Sequence, residues 1–135
     1  MAQSLQRILY LEDDPSIAEI ATLSLTEFAS FTVHHCERGT EAIGVFETFQ
    51  PDLLLFDVML PGMDGIQTLD AIKQLPGGIQ TPAIFMTAKA QTHEQKKYME
   101  NGAIGVIVKP FDAFTLGDQV RSVWEARRNM VYQVN

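Results

Sequence analysis

Cysteine is nearly missing from this chain. Its 135 residues include one, Cys36, so no internal disulfide can form. That points to a reducing, cytoplasmic setting. Basic residues are also scarce: ten Lys and Arg stand against seventeen Asp and Glu, a formal net charge of -7. Nucleic-acid binding depends on cations that neutralise phosphates, so direct contact with nucleic acid is disfavoured. No apolar run approaches the ~20 residues that cross a bilayer, which excludes a membrane protein. The polar N-terminus leads into the short apolar run Ile8 to Leu11, too short for a secretory signal. Repeats and low-complexity stretches are lacking, and no loop is long enough to be an internal linker. One domain over residues 1–135 is therefore expected, with its core at about 7–127 and residues 129–135 as a possible tail or linker. What is present is 46% apolar and 20% charged residues, the composition of a chain that can bury a core.

Short apolar runs alternate with amphipathic stretches. Ile8 to Leu11, Phe31 to Val33, Asp52 to Asp57, Pro82 to Met86 and Gly105 to Val108 read as five strands. The third is a continuous apolar run between acids, which implies a central strand covered on both faces. Between the strands, Pro15 suits a first helical turn. Ile17, Ile20, Ala21, Ser24 and Phe28 follow at helical spacing and are expected to face inward. Ala42 to Phe49 gives a second amphipathic helix and Ile66, Leu69 and Ile72 a third. Thr92 to Glu100 is polar and predicts a loosely held helix. The last helix, capped by Asp112, should face inward with Leu116, Val120, Val123 and Trp124. Alternating strands and helices call for a parallel, doubly wound α/β sheet with helices on both faces.

In such sheets ligands sit beyond the carboxyl ends of the strands. Glu12, Asp13 and Asp14 follow the first strand, Asp57 ends the third, Thr87 follows the fourth, and Lys109 with Pro110 follows the fifth. If the first and third strands are neighbours, their acids meet, and clustered carboxylates repel. A hard divalent cation such as Mg²⁺ relieves that repulsion through a few carboxylates and waters. A cation, the Lys109 ammonium and the Thr87 hydroxyl around one carboxylate form a cradle for a phosphoryl group. Asp57 is then the natural nucleophile, since a carboxylate can form an acyl phosphate.

Four motifs, in this order and spacing, carry a resemblance: Ile-Leu-Tyr-Leu-Glu12-Asp13-Asp14-Pro15, Asp57-Val-Met-Leu-Pro-Gly-Met-Asp-Gly65, Met86-Thr87-Ala88 and Val108-Lys109-Pro110-Phe111. Over about Arg7 to Arg127 the chain resembles the receiver domain of bacterial two-component response regulators, of the single-domain, stand-alone type. The resemblance implies a flavodoxin-like (βα)5 fold with strand order 2-1-3-4-5. It implies Asp57 as phosphoacceptor, with Thr87 and Lys109 each binding a phosphoryl oxygen. It implies Mg²⁺ held by Asp13, Asp57 and the backbone carbonyl of Met59, with Glu12 acting through water and Asp14 outside the first shell of ligands. A cis peptide at Lys109–Pro110 is implied as well. The phosphodonor would be a histidine kinase or a histidine phosphotransfer protein. The downstream protein would bind helix four, strand five and helix five, with Val106 and Trp124 offering apolar contact. Similar domains place Tyr or Phe three residues before the lysine; here that position is Val106. Because the product is the modified chain itself, the expected role is signalling rather than enzymatic turnover.

Rival readings fare worse. An aspartate-nucleophile phosphatase needs a general acid two residues after Asp57, where this chain has Met59. A flavodoxin-like cofactor binder needs a hydroxyl- and glycine-rich phosphate loop after the first strand, where three acids stand. Asp57 to Gly65 lacks the alternating acids of a calcium loop. A pseudo-receiver used only for contacts would not need the full set of acids, Thr87 and Lys109. Asp64 is expected to cap the third helix, and Cys36 to pack. His34 and His35 should point to opposite faces of a strand, which prevents joint chelation.

Overall fold

The computed structural model describes residues 4–88 and 91–134, and over 128–134 the backbone alone. Five strands form one parallel sheet: β1 (Arg7–Leu11), β2 (Thr32–Cys36), β3 (Leu53–Asp57), β4 (Ala83–Thr87) and β5 (Ala103–Val108). Their order is β2-β1-β3-β4-β5. Five helices connect and cover them: α1 (Pro15–Leu23), α2 (Gly39–Phe49), α3 (Gly65–Lys73), α4 (Thr92–Glu100) and α5 (Leu116–Val134). The doubly wound α/β expectation is borne out, as is the strand order. Every residue of β3 and β4 is buried, as a strand with helices on both faces requires.

The sheet separates two apolar layers. One joins Ile8, Tyr10, Leu55, Ile84 and Met86 to Ala18, Ala21 and Leu25 from the first helical segment and to Leu116, Val120 and Trp124 of α5. The other joins Leu9, Leu11, Leu54, Phe56 and Phe85 to Ala42 and Phe46 of α2, Leu69 and Ile72 of α3, and Tyr98 of α4. The alternation of Leu54 and Phe56 with Leu53 and Leu55 between the layers is the period of two of a strand.

Helix starts follow their chemistry. The Asp14 carboxylate accepts from the Ser16 and Ile17 N–H groups at 2.9 and 3.2 Å, with Pro15 in the first turn. Asp64 and Gln67 form a reciprocal capping box on α3. Asp112 accepts from the Phe114 N–H at 2.8 Å in the turn before α5. Gly65 is the residue that space dictates there: a Cβ would lie 2.2 Å from the Asp57 carbonyl oxygen.

The inner face of the first helix matches the expectation at Ala21 and Ser24 and departs from it elsewhere. Ala18, Ala21, Ser24 and Leu25 are buried, while Ile20 is 51% and Phe28 57% exposed. Two features explain this. Small alanines let α1 approach the sheet closely, and the helix continues as a wider π-helical turn, Ser24–Phe28, which breaks the 3.6 spacing. Trp124 lies on the inward face, as the helical spacing predicts, and not on a partner surface. It is buried, with the Arg127 guanidinium carbon 3.7 Å from its ring centroid, so it offers no contact to a partner. Helix α5 continues to Val134, so residues 129–134, expected as a possible tail or linker, are helical.

Candidate functional site

Parallel pairing brings the strand ends together. Leu11 pairs with Phe56, so Glu12 comes level with Asp57. Thr87 pairs with Val108, and the Lys109 N–H donates to the Thr87 carbonyl at 2.8 Å. Glu12, Asp57 and Thr87 are the buried polar residues at this edge, with exposures of 1%, 4% and 0%. Asp13 is exposed.

The Lys109 Nζ donates to Glu12 Oε1 at 2.5 Å and to Asp57 Oδ2 at 3.0 Å. The remaining carboxylate oxygens take backbone donors. Glu12 Oε2 accepts from the Asp14 N–H at 3.2 Å, and Asp57 Oδ1 from the Met59 N–H at 3.2 Å. Lys109 thus neutralises two acids that would otherwise repel at close range. Burial pushes the Glu12 carboxyl up from its ordinary range. The Lys109 bond pulls it partly back, and the Asp57 charge raises it again. Burial alone would lower the Lys109 ammonium, but its bonds to Glu12 and Asp57 outweigh that, so it stays above its ordinary value and charged.

Glu12, Asp13 and Asp57 each offer an oxygen, and these oxygens lie within 4.8 Å of one another. Three hard anionic oxygens at one rim suit a hard divalent cation, so the donor set fits Mg²⁺. Asp14 is committed to the α1 cap and is not in this group. Met59 turns its N–H to Asp57, while its side chain is 58% exposed. The Lys109–Pro110 peptide is cis. Lys89, a further neighbour by sequence, lies outside the described residues.

Three residues here have partners that the sequence does not reveal, while the expected inward face of Ser24 and the opposed faces of His34 and His35 are observed. The His35 Nε2 lies 2.8 Å from the Glu12 carbonyl and so donates to it. The His35 ring sits 5.5 Å from that of Tyr10, while His34 turns to Phe49 on the opposite face. Tyr10 is fully buried; burial first, then the charges of Glu12, Asp57 and Asp14, push its phenol above the ordinary range, so it stays neutral. Ser24 is buried and its hydroxyl donates to the Ala113 carbonyl, 89 residues away. No local pattern marks these partners, because strand register and helix packing set them.

Comparison with known proteins agrees with this arrangement. The response regulator receiver domain family matches residues 8–121. The transcriptional activator protein IrlR of Burkholderia pseudomallei is 36% identical over 131 residues, 95% of this chain and 56% of that protein. The DNA-binding response regulator MtrA of Mycolicibacterium smegmatis is 37% identical over 124 residues, 92% of this chain and 52% of that one. The chain thus spans about half the length of these curated relatives. Among solved structures, the chemotaxis response regulator CheY4 of Vibrio cholerae superposes with a TM-score of 0.81 at 25% identity, covering 89% of this chain and 99% of that one. With acids, a threonine and a lysine gathered at the carboxyl edge of a 2-1-3-4-5 sheet, and with that match over nearly its whole length, the chain belongs to the response regulator receiver domains, the signalling modules of two-component systems.

Proposed function

We propose that Asp57 is the phosphoacceptor, and that a phosphohistidine on a histidine kinase or histidine phosphotransfer protein is the donor. One observation carries the reading: the Lys109 ammonium bridges Glu12 and Asp57 at 2.5 and 3.0 Å, at the buried end of the central strand. In the reaction an Asp57 carboxylate oxygen attacks phosphorus, the P–N bond breaks, and the imidazole leaves with the electron pair. The Lys109 ammonium sits where it can move from carboxylate to a phosphoryl oxygen, and the Thr87 hydroxyl binds another. Glu12, Asp13, Asp57 and the Met59 carbonyl would hold Mg²⁺, which supplies charge neutralisation between the acids and the incoming phosphoryl group.

An acyl phosphate adds about -1.5 to -2 charges if phosphoserine is a fair guide. That charge draws Thr87 and its loop inward and repacks the face of α4, β5 and α5, where the downstream protein binds. Met99 and Val108 are 37% and 40% exposed on α4 and β5, and Val106 is half-buried. The product is the modified chain, so the activity is that of a cytoplasmic signalling switch that catalyses its own phosphorylation and dephosphorylation. A formal charge of -7 disfavours direct contact between this chain and nucleic acid. Among the described residues no helix is long and apolar enough to cross a membrane.

Incubation with a small phosphodonor and Mg²⁺, followed by intact-mass analysis, should show one added phosphate, lost in Asp57→Asn. An unchanged adduct in that variant overturns the assignment. Titration with Mg²⁺ should move the NMR amide signals of residues 12–14 and 57–59; static signals would refute the metal site.

A further inference from the structure

We propose that Ser24 is a positioning residue for Lys109, acting through a clamp between the π-helical turn and the segment that follows the lysine. The inference rests on the reading of Asp57 and Lys109 above. Lys109 begins a short connection whose near end is pinned to the sheet by the 2.8 Å bond from its N–H to the Thr87 carbonyl. Its far end is pinned by Ser24, whose hydroxyl donates to the Ala113 carbonyl, and by Leu116 in the core. Only Pro110, Phe111 and Asp112 lie between Lys109 and Ala113.

The clamp has several further parts. The Phe28 and Phe114 rings stack at 5.3 Å. Arg121 donates to the Ala29 carbonyl at 2.7 Å, and its guanidinium carbon lies 4.4 Å from the centroid of the Phe31 ring. Gly117 lets α5 close on Ala29, since a Cβ there would lie 2.4 Å from the Ala29 Cβ. The wide turn is what presents Ser24. It puts Ser24 and Leu25 inside and leaves Leu23 and Phe28 53% and 57% exposed. A buried hydroxyl must be bonded to be tolerated. Apolar packing alone would have been served by alanine, as at Ala18 and Ala21. The polar bond instead fixes one carbonyl, four residues beyond Lys109.

The consequence is catalytic because the Lys109 ammonium serves two carboxylates at once. A shift of its backbone lengthens one bond or both. The lysine stem is flexible and absorbs part of the shift. The expected loss in Ser24→Ala is therefore about five- to tenfold in phosphorylation rate, short of the roughly 100-fold that a 1 Å misplacement can cost.

The test is a double-mutant cycle. Rates of phosphorylation by a small phosphodonor with Mg²⁺ are compared in the wild type, Ser24→Ala, Lys109→Ala and the double variant. Mg²⁺ affinity is read from amide shifts. Ser24→Ala should slow the reaction, leave Mg²⁺ affinity within about twofold, and have no further effect once Lys109 is gone. A wild-type rate in Ser24→Ala, or a slowing that persists undiminished without Lys109, overturns the clamp. Should Ser24→Ala fail to fold, Phe114→Ala is read in the same way, because that ring is 77% exposed and its loss empties no core. A wild-type chain that takes no phosphate would overturn the reading of Asp57 and this inference with it. A chain phosphorylated on Asp57 with an additive cycle would overturn the clamp alone.

Discussion

The two flanks of Asp57 are fastened to the sheet in different ways. On the lysine side, α5 buries Leu116, Val120 and Trp124, and its approach is tied to the first helical segment by Ser24, Phe28 and Arg121. On the threonine side, α4 buries one residue, Tyr98, whose ring meets Phe85 edge-on at 5.7 Å. Among the described residues no side chain caps the start of α4, and its end is held by the Lys73 ammonium on the Asn101 carbonyl at 2.5 Å. Among the described residues, the lysine flank shows more such fastenings than the threonine flank. Elements with few buried apolar contacts open at low cost. On the proposed reading of Asp57, the lysine flank would deliver the charge that stabilises the phosphoryl group and the α4 flank would respond to it.

Lys109→Ala should have the largest effect. Removing one preorganised donor costs about 10²- to 10³-fold in rate, measured with a small phosphodonor. The same variant should tighten Mg²⁺ binding, because a cation that competes for Glu12 and Asp57 is gone. If phosphorylation proceeds at the wild-type rate, the lysine flank has no catalytic part.

Tyr98→Ala should be next. Truncating a buried aromatic costs about 3 kcal/mol, read by chemical denaturation. Amide exchange across Thr92–Glu100 should rise well above that of Leu116–Trp124. Equal exchange in the two helices would erase the contrast between the flanks. Val106→Ala, at a half-buried position packed on the same apolar layer, should cost about 1 kcal/mol. It should leave phosphorylation-dependent partner binding intact, and loss of that binding would show that the small side chain is a coupling element after all.

Cys36 gives the smallest effect and an internal reference. It lies at the end of β2, away from both flanks. Burial, aided by the Glu41 charge, pushes its thiol up to about 11. A raised folded value means the folded state holds the proton more tightly. Its contribution is therefore full below the ordinary thiol value of about 8.5 and declines as pH rises toward 11. Native protein at pH 8 should resist thiol labelling, with any reaction tracking global unfolding while α4 exchanges faster. Rapid labelling would place Cys36 in a region as loosely held as α4.

Much of the site was legible because motif residues adjoin strand ends. Asp57 closes an unbroken apolar run, and Glu12 and Lys109 each follow one, so a parallel sheet must gather them at one edge. The helix caps at Asp14 and Asp64 were legible for a similar reason, since a cap acts on its own next turn. The inner face of the first helix was legible only in part, at Ala21 and Ser24. Hydrophobic spacing favours Ile17 and Ile20, but the gap between helix and sheet admits only the small Ala18 and Ala21, and the π-helical turn shifts the face again. Trp124 was legible on the inner face of α5 from its spacing, but only its neighbours exclude the partner-surface role.

Pattern and composition alone thus determined the class of fold, the run of strands and helices, and the set of polar residues that meet at the sheet edge. Those properties follow from local periodicity and from where each apolar run stops. Tertiary structure alone decided which oxygens Lys109 binds, that Ser24 reaches Ala113, that His35 meets the Glu12 carbonyl, and that α4 buries Tyr98 against the sheet. These contacts join residues far apart in the chain, and their geometry exists only once the packing of helices on the sheet has set the distances between them.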